Sequence, residues 1–150
     1  MMHRCRGRYD RCVQDPRLTT PVRFDADRAA GTLRIEWADG HLTGYDTVRL
    51  RWLCPCAYCR GEAGQPGWLD TDPTLTPDQV KFVDLALVGT YAIQATWGDG
   101  HNTGYYTFQL LRDQCPCAEC ARDRSLRHAD HATQPAAPAA VERHWHGGNR

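Results

Sequence analysis

The stretch LRIEWADGHLTGY, Leu33 to Tyr45, returns as IQATWGDGHNTGY, Ile93 to Tyr105. Both copies carry Trp, then Asp-Gly-His, then Thr-Gly-Tyr. A Leu-Arg pair follows in each, Leu50-Arg51 and Leu111-Arg112, a few residues ahead of a knot of three cysteines. The knots are CPCAYC, Cys54 to Cys59, and CPCAEC, Cys115 to Cys120. The offset between copies is 60 residues at the tryptophans and 61 at the cysteines, so the alignment places one inserted residue between the tyrosine and the Leu-Arg pair. Self-similarity of this kind marks an internal duplication, and the unit of structure is then one copy.

The local pattern within a copy is β. Leu33, Ile35 and Trp37 alternate with Arg34 and Glu36, and Tyr91, Ile93, Ala95 and Trp97 alternate with smaller or polar residues, the period of a half-buried strand. Asp39-Gly40 and Asp99-Gly100 then supply residues that tolerate the positive φ of a hairpin turn. The chain is expected to reverse there, with Thr43 to Val48 and Thr103 to Phe108 returning as partner strands. Between the copies, Gly61 to Pro73 reads as an exposed loop rich in Gly, Pro and Asp. Thr76-Pro77-Asp78-Gln79 has the residues of a helical start. Val80 to Val88 is strand-like with Val83, Leu85 and Leu87 on one face. The expected fold class is mostly β (α+β), a small antiparallel β domain with internal pseudo-duplication and short helical turns at the cysteine clusters.

Composition sets the outer limits. With 150 residues and 41% apolar content, the chain fits one domain with a modest core, the size range in which a cross-link or metal contributes most. Residues 1–28 mix seven Arg and four Asp without a clear period and read as a basic, flexible segment. Residues 121–150 contain Pro135-Ala-Ala-Pro138 and end in a His-rich stretch, and read as a flexible tail. The domain proper is expected over 29–120, where eleven acids face six bases. That negative balance argues against a nucleic-acid-binding face. No apolar run has the length of a bilayer span and the first residues lack a secretory core, so the expected location is cytoplasmic. In that compartment close cysteines point to metal or redox chemistry before structural disulfides.

The C-x-C-x-x-C spacing lets three sulfurs converge on one ion, and tetrahedral zinc needs a fourth donor. His41 and His101 stand at equivalent places in the two Asp-Gly-His turns and are the candidates. Asp39 and Asp99 are expected to form the turns, and Arg51 and Arg112 either offset the charge of the thiolates or sit solvated. Trp37, Trp97, Leu50 and Leu111 are expected in the core. Cys5 and Cys12, in the basic segment, read as free thiols, and His144 and His146 as loose metal binders at most.

Taken in order, WADGH, LRWLCPCAYC, VGTYAIQATWGDGHNTGYY and LLRDQC resemble the gamma-butyrobetaine hydroxylase-like N-terminal domain family, once a domain of unknown function, over roughly residues 24–120. The resemblance implies a small, mostly β domain with a Cys3His zinc site remote from any active site. It also implies occurrence alone, fused to an iron-sulfur carrier ATPase, or ahead of a carnitine-pathway oxygenase. Carried over residue by residue, its zinc ligands fall on Cys54, Cys56, Cys59 and His101. The cysteines of one copy are thus completed by the histidine of the other. If a pseudo-twofold relates the copies, the same rule yields a second site from Cys115, Cys117, Cys120 and His41.

The expected function is a non-catalytic, zinc-binding accessory or protein-interaction domain with one or two Zn(2+) per chain. Its partner is not readable beyond an iron-sulfur carrier or an oxygenase-related protein. The alternative is an iron-sulfur or thiol-based protein that assists iron-sulfur cluster handling; ligand spacing alone does not separate the two metals. No catalytic residue is assigned: phosphate-loop, dinucleotide and nucleophile-elbow motifs are absent, and the H-x-D spacing of His128-Ala129-Asp130 has no barrel sequence around it.

Overall fold

The computed structural model describes residues 15–132. The first half runs from a 3-10 turn (Pro16–Thr19) through β1 (Pro21–Asp27), β2 (Thr32–Trp37) and β3 (Leu42–Asp46) into α1 (Thr47–Trp52) and α2 (Ala57–Arg60). The second half repeats that order: a 3-10 turn (Asp78–Val80), β4 (Phe82–Val88), β5 (Ala92–Trp97), β6 (Tyr105–Thr107), α3 (Phe108–Asp113) and α4 (Ala118–Ala132). Between them lies one further 3-10 turn, Trp68–Thr71. Each half forms its own three-stranded antiparallel sheet, ordered β1-β2-β3 and β4-β5-β6. The duplication and the fold class are therefore both visible in the backbone.

Alternation along β2 and β5 builds the core. Leu33, Ile35 and Trp37 from one sheet and Ile93, Ala95 and Trp97 from the other are all buried, and they belong to a single apolar cluster with Tyr45, Tyr106, Leu50 and Leu111. The hairpin turns follow the Asp-Gly prediction. Gly40 and Gly100 take φ of 85° and 86°, and the Trp37 and Trp97 amides donate to the His41 and His101 carbonyls across the turn.

Register corrects the position of the inserted residue. Leu33 pairs with Tyr45, and Ile93 pairs with Tyr106 rather than Tyr105. The extra residue therefore sits in the second hairpin, before the core tyrosine, because only that slip keeps an aromatic ring on the buried face. Tyr105, matched to Tyr45 by sequence, is half exposed.

Other expectations also shift. The returning strands are shorter than Thr43 to Val48 and Thr103 to Phe108, because the Asp46 carboxylate accepts from the Arg49 amide and the Thr107 hydroxyl from the Leu110 amide. These caps start α1 and α3, so Val48 and Phe108 are helical. On β4, Val83 and Leu87 are exposed, and it is Phe82 that is buried. A bulge between Phe82 and Asp84 breaks the period of two, and an identical bulge between Pro21 and Arg23 occurs in β1.

β1 falls inside the segment expected to be flexible, and α4 continues past Cys120 into the expected tail. β1 escaped notice because it is an edge strand on which only Phe24 packs against the core, leaving Arg and Asp on the open side. Cys5, Cys12, His144, His146 and the Pro-Ala stretch lie outside the described residues. No helix among the described residues is long and apolar enough to cross a membrane.

The halves embrace each other. α1 packs against the 3-10 turn that precedes β4, and α3 against the one that precedes β1. Phe24 of β1 meets Phe108 of α3 with ring centroids 5.9 Å apart. The Tyr45 hydroxyl donates to the Leu111 carbonyl at 2.6 Å. The packing of α1 and α3 on the opposite 3-10 turns is reciprocal, as a twofold relation requires, whereas the Tyr45 bond is not returned by its counterpart Tyr106.

Candidate metal centres

Each cysteine knot begins where a short helix stops. Arg51 and Arg112 carbonyls accept from the Cys54 and Cys115 amides at 3.2 Å, which ends α1 and α3 and sets the first sulfur of each trio inward. The next two sulfurs follow within one turn, the third on α2 or α4. Proline at the second position cannot continue the preceding helix, which keeps the turn tight. The histidines arrive from the opposite half on the Asp-Gly hairpins. Asp39 and Asp99 accept from the His41 and His101 amides at 3.2 and 3.0 Å, so both act as turn formers.

Two clusters result: Cys54, Cys56, Cys59 with His101, and Cys115, Cys117, Cys120 with His41. In each, the four donor atoms lie within 4.8 Å of one another. His101 Nε2 stands 3.4, 3.5 and 3.6 Å from the sulfurs of Cys54, Cys56 and Cys59. His41 Nε2 stands 3.3, 3.7 and 3.5 Å from those of Cys115, Cys117 and Cys120. A regular tetrahedron with zinc–sulfur and zinc–nitrogen bonds of ordinary length places nitrogen and sulfur about 3.6 Å apart and two sulfurs about 3.8 Å apart. The Cys54–Cys56 sulfur separation is 3.6 Å. The donor sets therefore fit one tetrahedral ion each.

The surroundings differ from one cluster to the other. At the first, Arg51 is buried and its Nη1 donates to Cys59 Sγ at 3.2 Å, while its guanidinium lies 5.3 Å from the Trp68 ring centre and 5.8 Å from that of Trp97. The loop expected to be merely exposed carries Trp68 here, where it stacks on Tyr58 at 6.0 Å. Gly67 lets it return: a Cβ at that position would come within 2.3 Å of the Cys59 carbonyl oxygen. The Tyr106 hydroxyl is buried, lies against Cys54 and has no conventional hydrogen-bond partner among the described residues. At the second cluster, Arg112 lies over Trp37 at 5.8 Å but pairs with Asp39, Nη2 to Oδ2 at 2.8 Å.

Neither Arg60 nor Arg124 stood out in the sequence, because they do not align in the repeat. Arg60 donates to the Cys54 and Trp52 carbonyls, and Arg124 to the Cys115 and Asp113 carbonyls at 3.0 and 2.7 Å. From different positions they tie down the same two backbone oxygens of each knot.

The electrostatics suit metal over free thiols. Burial pushes the Cys54 thiol up to about 12, with the neighbouring Cys59 and Cys56 sulfurs adding to it, and burial likewise takes Cys120 up to about 12. Cys59 is raised by burial against the opposing pull of Arg51. For Cys56, burial pushes upward but is outweighed by hydrogen bonds from Thr103 and Cys59, and the thiol falls below its usual value. His101 and His41 are both lowered, first by burial and then by Arg51 and Arg112 respectively, so both present neutral imidazole. The raised thiols, Cys54, Cys59 and Cys120, ionise readily only when a cation displaces the proton, so metal and protons compete there. Since protons win as the pH falls, apparent zinc affinity is expected to drop by about two to three powers of ten per pH unit between roughly pH 8 and 6. A competition titration with a zinc indicator at several pH values reads this slope, and a slope near zero would show that the thiols are not the ligands.

A family model described as "Gamma-butyrobetaine hydroxylase-like, N-terminal" matches residues 24–112. The chain belongs to that family. Among characterised relatives, the gamma-butyrobetaine dioxygenase of Pseudomonas sp. (strain AK-1) is 29% identical over 89 residues. That match covers 59% of this chain and 22% of the enzyme, so the chain spans under a quarter of it. A crystal structure of a protein of unknown function from Acidithiobacillus ferrooxidans, in the DUF971 family, is 28% identical with a TM-score of 0.51, covering 67% of this chain and 98% of that one. An NMR solution structure at 23% identity and TM-score 0.50, covering 83% and 92%, shares the fold. The family model concerns an N-terminal segment, and the described residues form two three-stranded sheets. His128 and Asp130 fall on α4.

Proposed function

We propose that this family member is a non-catalytic accessory domain that holds two structural zinc ions and presents a metal-braced surface to a protein partner. Cys54, Cys56, Cys59 and His101 would hold one ion, and Cys115, Cys117, Cys120 and His41 the other. The observation that carries the reading is the crossed convergence of both donor sets at tetrahedral spacing. Four protein donors leave no open position, so the ion there supplies cross-linking and no activated water.

The iron-sulfur alternative is less well supported. Clusters of several irons are commonly held by four thiolates, or by two imidazoles with two thiolates, and spread their ligands over more than one metal. Here three thiolates and one imidazole converge on a single point in each half. A cytoplasmic setting agrees with six cysteines left as thiols. The relationship to a dioxygenase's N-terminal segment supports an oxygenase-related partner.

Metal analysis of protein purified without oxygen tests the reading. Two equivalents of zinc and no visible absorption are expected, falling to one in Cys56→Ser and to one in Cys117→Ser. Iron with labile sulfide and absorption near 400 nm would establish the alternative instead. An unchanged content in Cys117→Ser would remove the second site.

A further inference from the structure

The two clusters share one ligand set but not one environment. Around the first, Cys54 and Cys59 have no solvent exposure and Cys56 alone is partly open. Arg51 occupies a fully buried position and donates directly to the Cys59 sulfur. Trp68 and Trp97 flank its guanidinium, and Tyr58 lies over Trp68 and 6.1 Å from the His101 ring. The Arg60 side chain holds the carbonyl of Cys54, a brace both sites share, since Arg124 holds that of Cys115.

Around the second, only Cys115 is fully buried, and Cys117 and Cys120 are partly open to solvent. Arg112, the repeat counterpart of Arg51, has been drawn away into its ion pair with Asp39. At this cluster the Cys120 amide donates to Cys117 Sγ at 3.4 Å, and among the described residues no arginine donates to its sulfurs as Arg51 does to Cys59. Among the described residues no tryptophan returns over it, because the chain leaves directly along α4, whose first turn carries Glu119.

We infer that the domain carries one permanent and one exchangeable metal site: the Arg51-sealed site keeps its ion, and the His41 site releases its ion to an incoming thiolate- or imidazole-type acceptor. This rests on the zinc reading above. A divalent ion with three thiolates and a neutral imidazole carries a net negative charge. Arg51 offsets it by direct contact at the first site, whereas at the second the charge of Arg112 is spent on Asp39 and Glu119 adds a negative charge. Release requires an acceptor to reach the ion and displace a sulfur. At the first site, a hydrogen-bonded sulfur, an adjacent cation and an aromatic cover oppose each part of that step. At the second, two sulfurs are partly open to solvent and, among the described residues, neither Arg112 nor Arg124 donates to them. Arg51 acts as a positioning residue, through the Cys59 sulfur, and its effect is on how long the ion stays.

The test follows zinc leaving the reduced, full-length, metal-loaded chain on mixing with excess chromophoric chelator. Two phases of one equivalent each are expected, separated by about tenfold or more in rate. Cys117→Ser should lose the fast phase and keep the slow one. Arg51→Met should speed the slow phase toward the fast one without altering the fast phase, Arg51→Lys should fall between, and Arg112→Met should leave the slow phase where it is. Because Arg51→Met alters a buried position, Cys117→Ser carries the decision independently. A single phase releasing two equivalents, or a Cys117→Ser protein that retains the fast phase, overturns the inference while leaving two-site zinc binding intact. Fewer than two equivalents in the starting protein overturns the zinc reading itself, and the inference with it.

Discussion

Stripping the metal with a strong chelator under reducing conditions should unfold the domain. Structural zinc in small folds has an apparent binding free energy of about 10–16 kcal/mol, and a domain's whole net stability is about 5–15 kcal/mol. The core here is one cluster of buried side chains shared by two three-stranded sheets, and Cys54 and Cys59 are members of it. Without the ions, the buried sulfurs lose the partner that justifies their position, and each hairpin loses its anchor at His41 or His101. The expected result is loss of the far-ultraviolet β signal and of the cooperative thermal transition, both restored by returning zinc. A metal-free, reduced chain that melts at the same temperature as the loaded one would show that the clusters are ornaments on a self-sufficient core.

Substituting one glycine should remove one ion while its repeat partner tolerates the same change. A Cβ on Gly104 would lie 2.6 Å from Cys54 Sγ and 3.4 Å from both the Pro55 ring and Tyr106, a space that neither the buried sulfur nor the ring can yield. Gly44, its counterpart in the sequence repeat, would gain a Cβ with nothing within 4 Å, because the one-residue slip puts Gly104 at the register position of Thr43 and Gly44 at that of Tyr105. Gly104→Ala is therefore expected to drop zinc content from two equivalents to one and to lower the melting temperature sharply. Gly44→Ala should keep both ions and shift stability by no more than about 0.5 kcal/mol. Equal metal content in the two variants would mean that the Cys54 sulfur is not held where the first site needs it.

What the sequence disclosed, it disclosed by repetition. Trp37 and Trp97, the Asp-Gly turns and the cysteine knots each appear twice, and a pattern stated twice is hard to mistake; the crossing of cysteines with histidines came instead from the family resemblance, extended to the second trio by the duplication. What stayed hidden were features present once or shifted between copies. β1 carries too little apolar surface to stand out, although its bulge and pairing match β4. Val83 and Leu87 looked like an inward face because a bulge cannot be read from alternation. Arg51 and Arg112 are the same residue in the same motif, yet one is buried against sulfur and the other bound to a carboxylate. The difference comes from Trp68, delivered by a loop that the second copy lacks, and from Asp39, whose counterpart Asp99 leaves Arg51 free to turn inward. Local propensity does not encode such long-range choices.

The exchange of imidazoles between repeats has a mechanical outcome. Drawing the two hairpins away from the opposite knots would vacate both coordination spheres in the same movement, so neither repeat can peel off and leave its neighbour intact. The polypeptide closes like a clasp fastened from both sides.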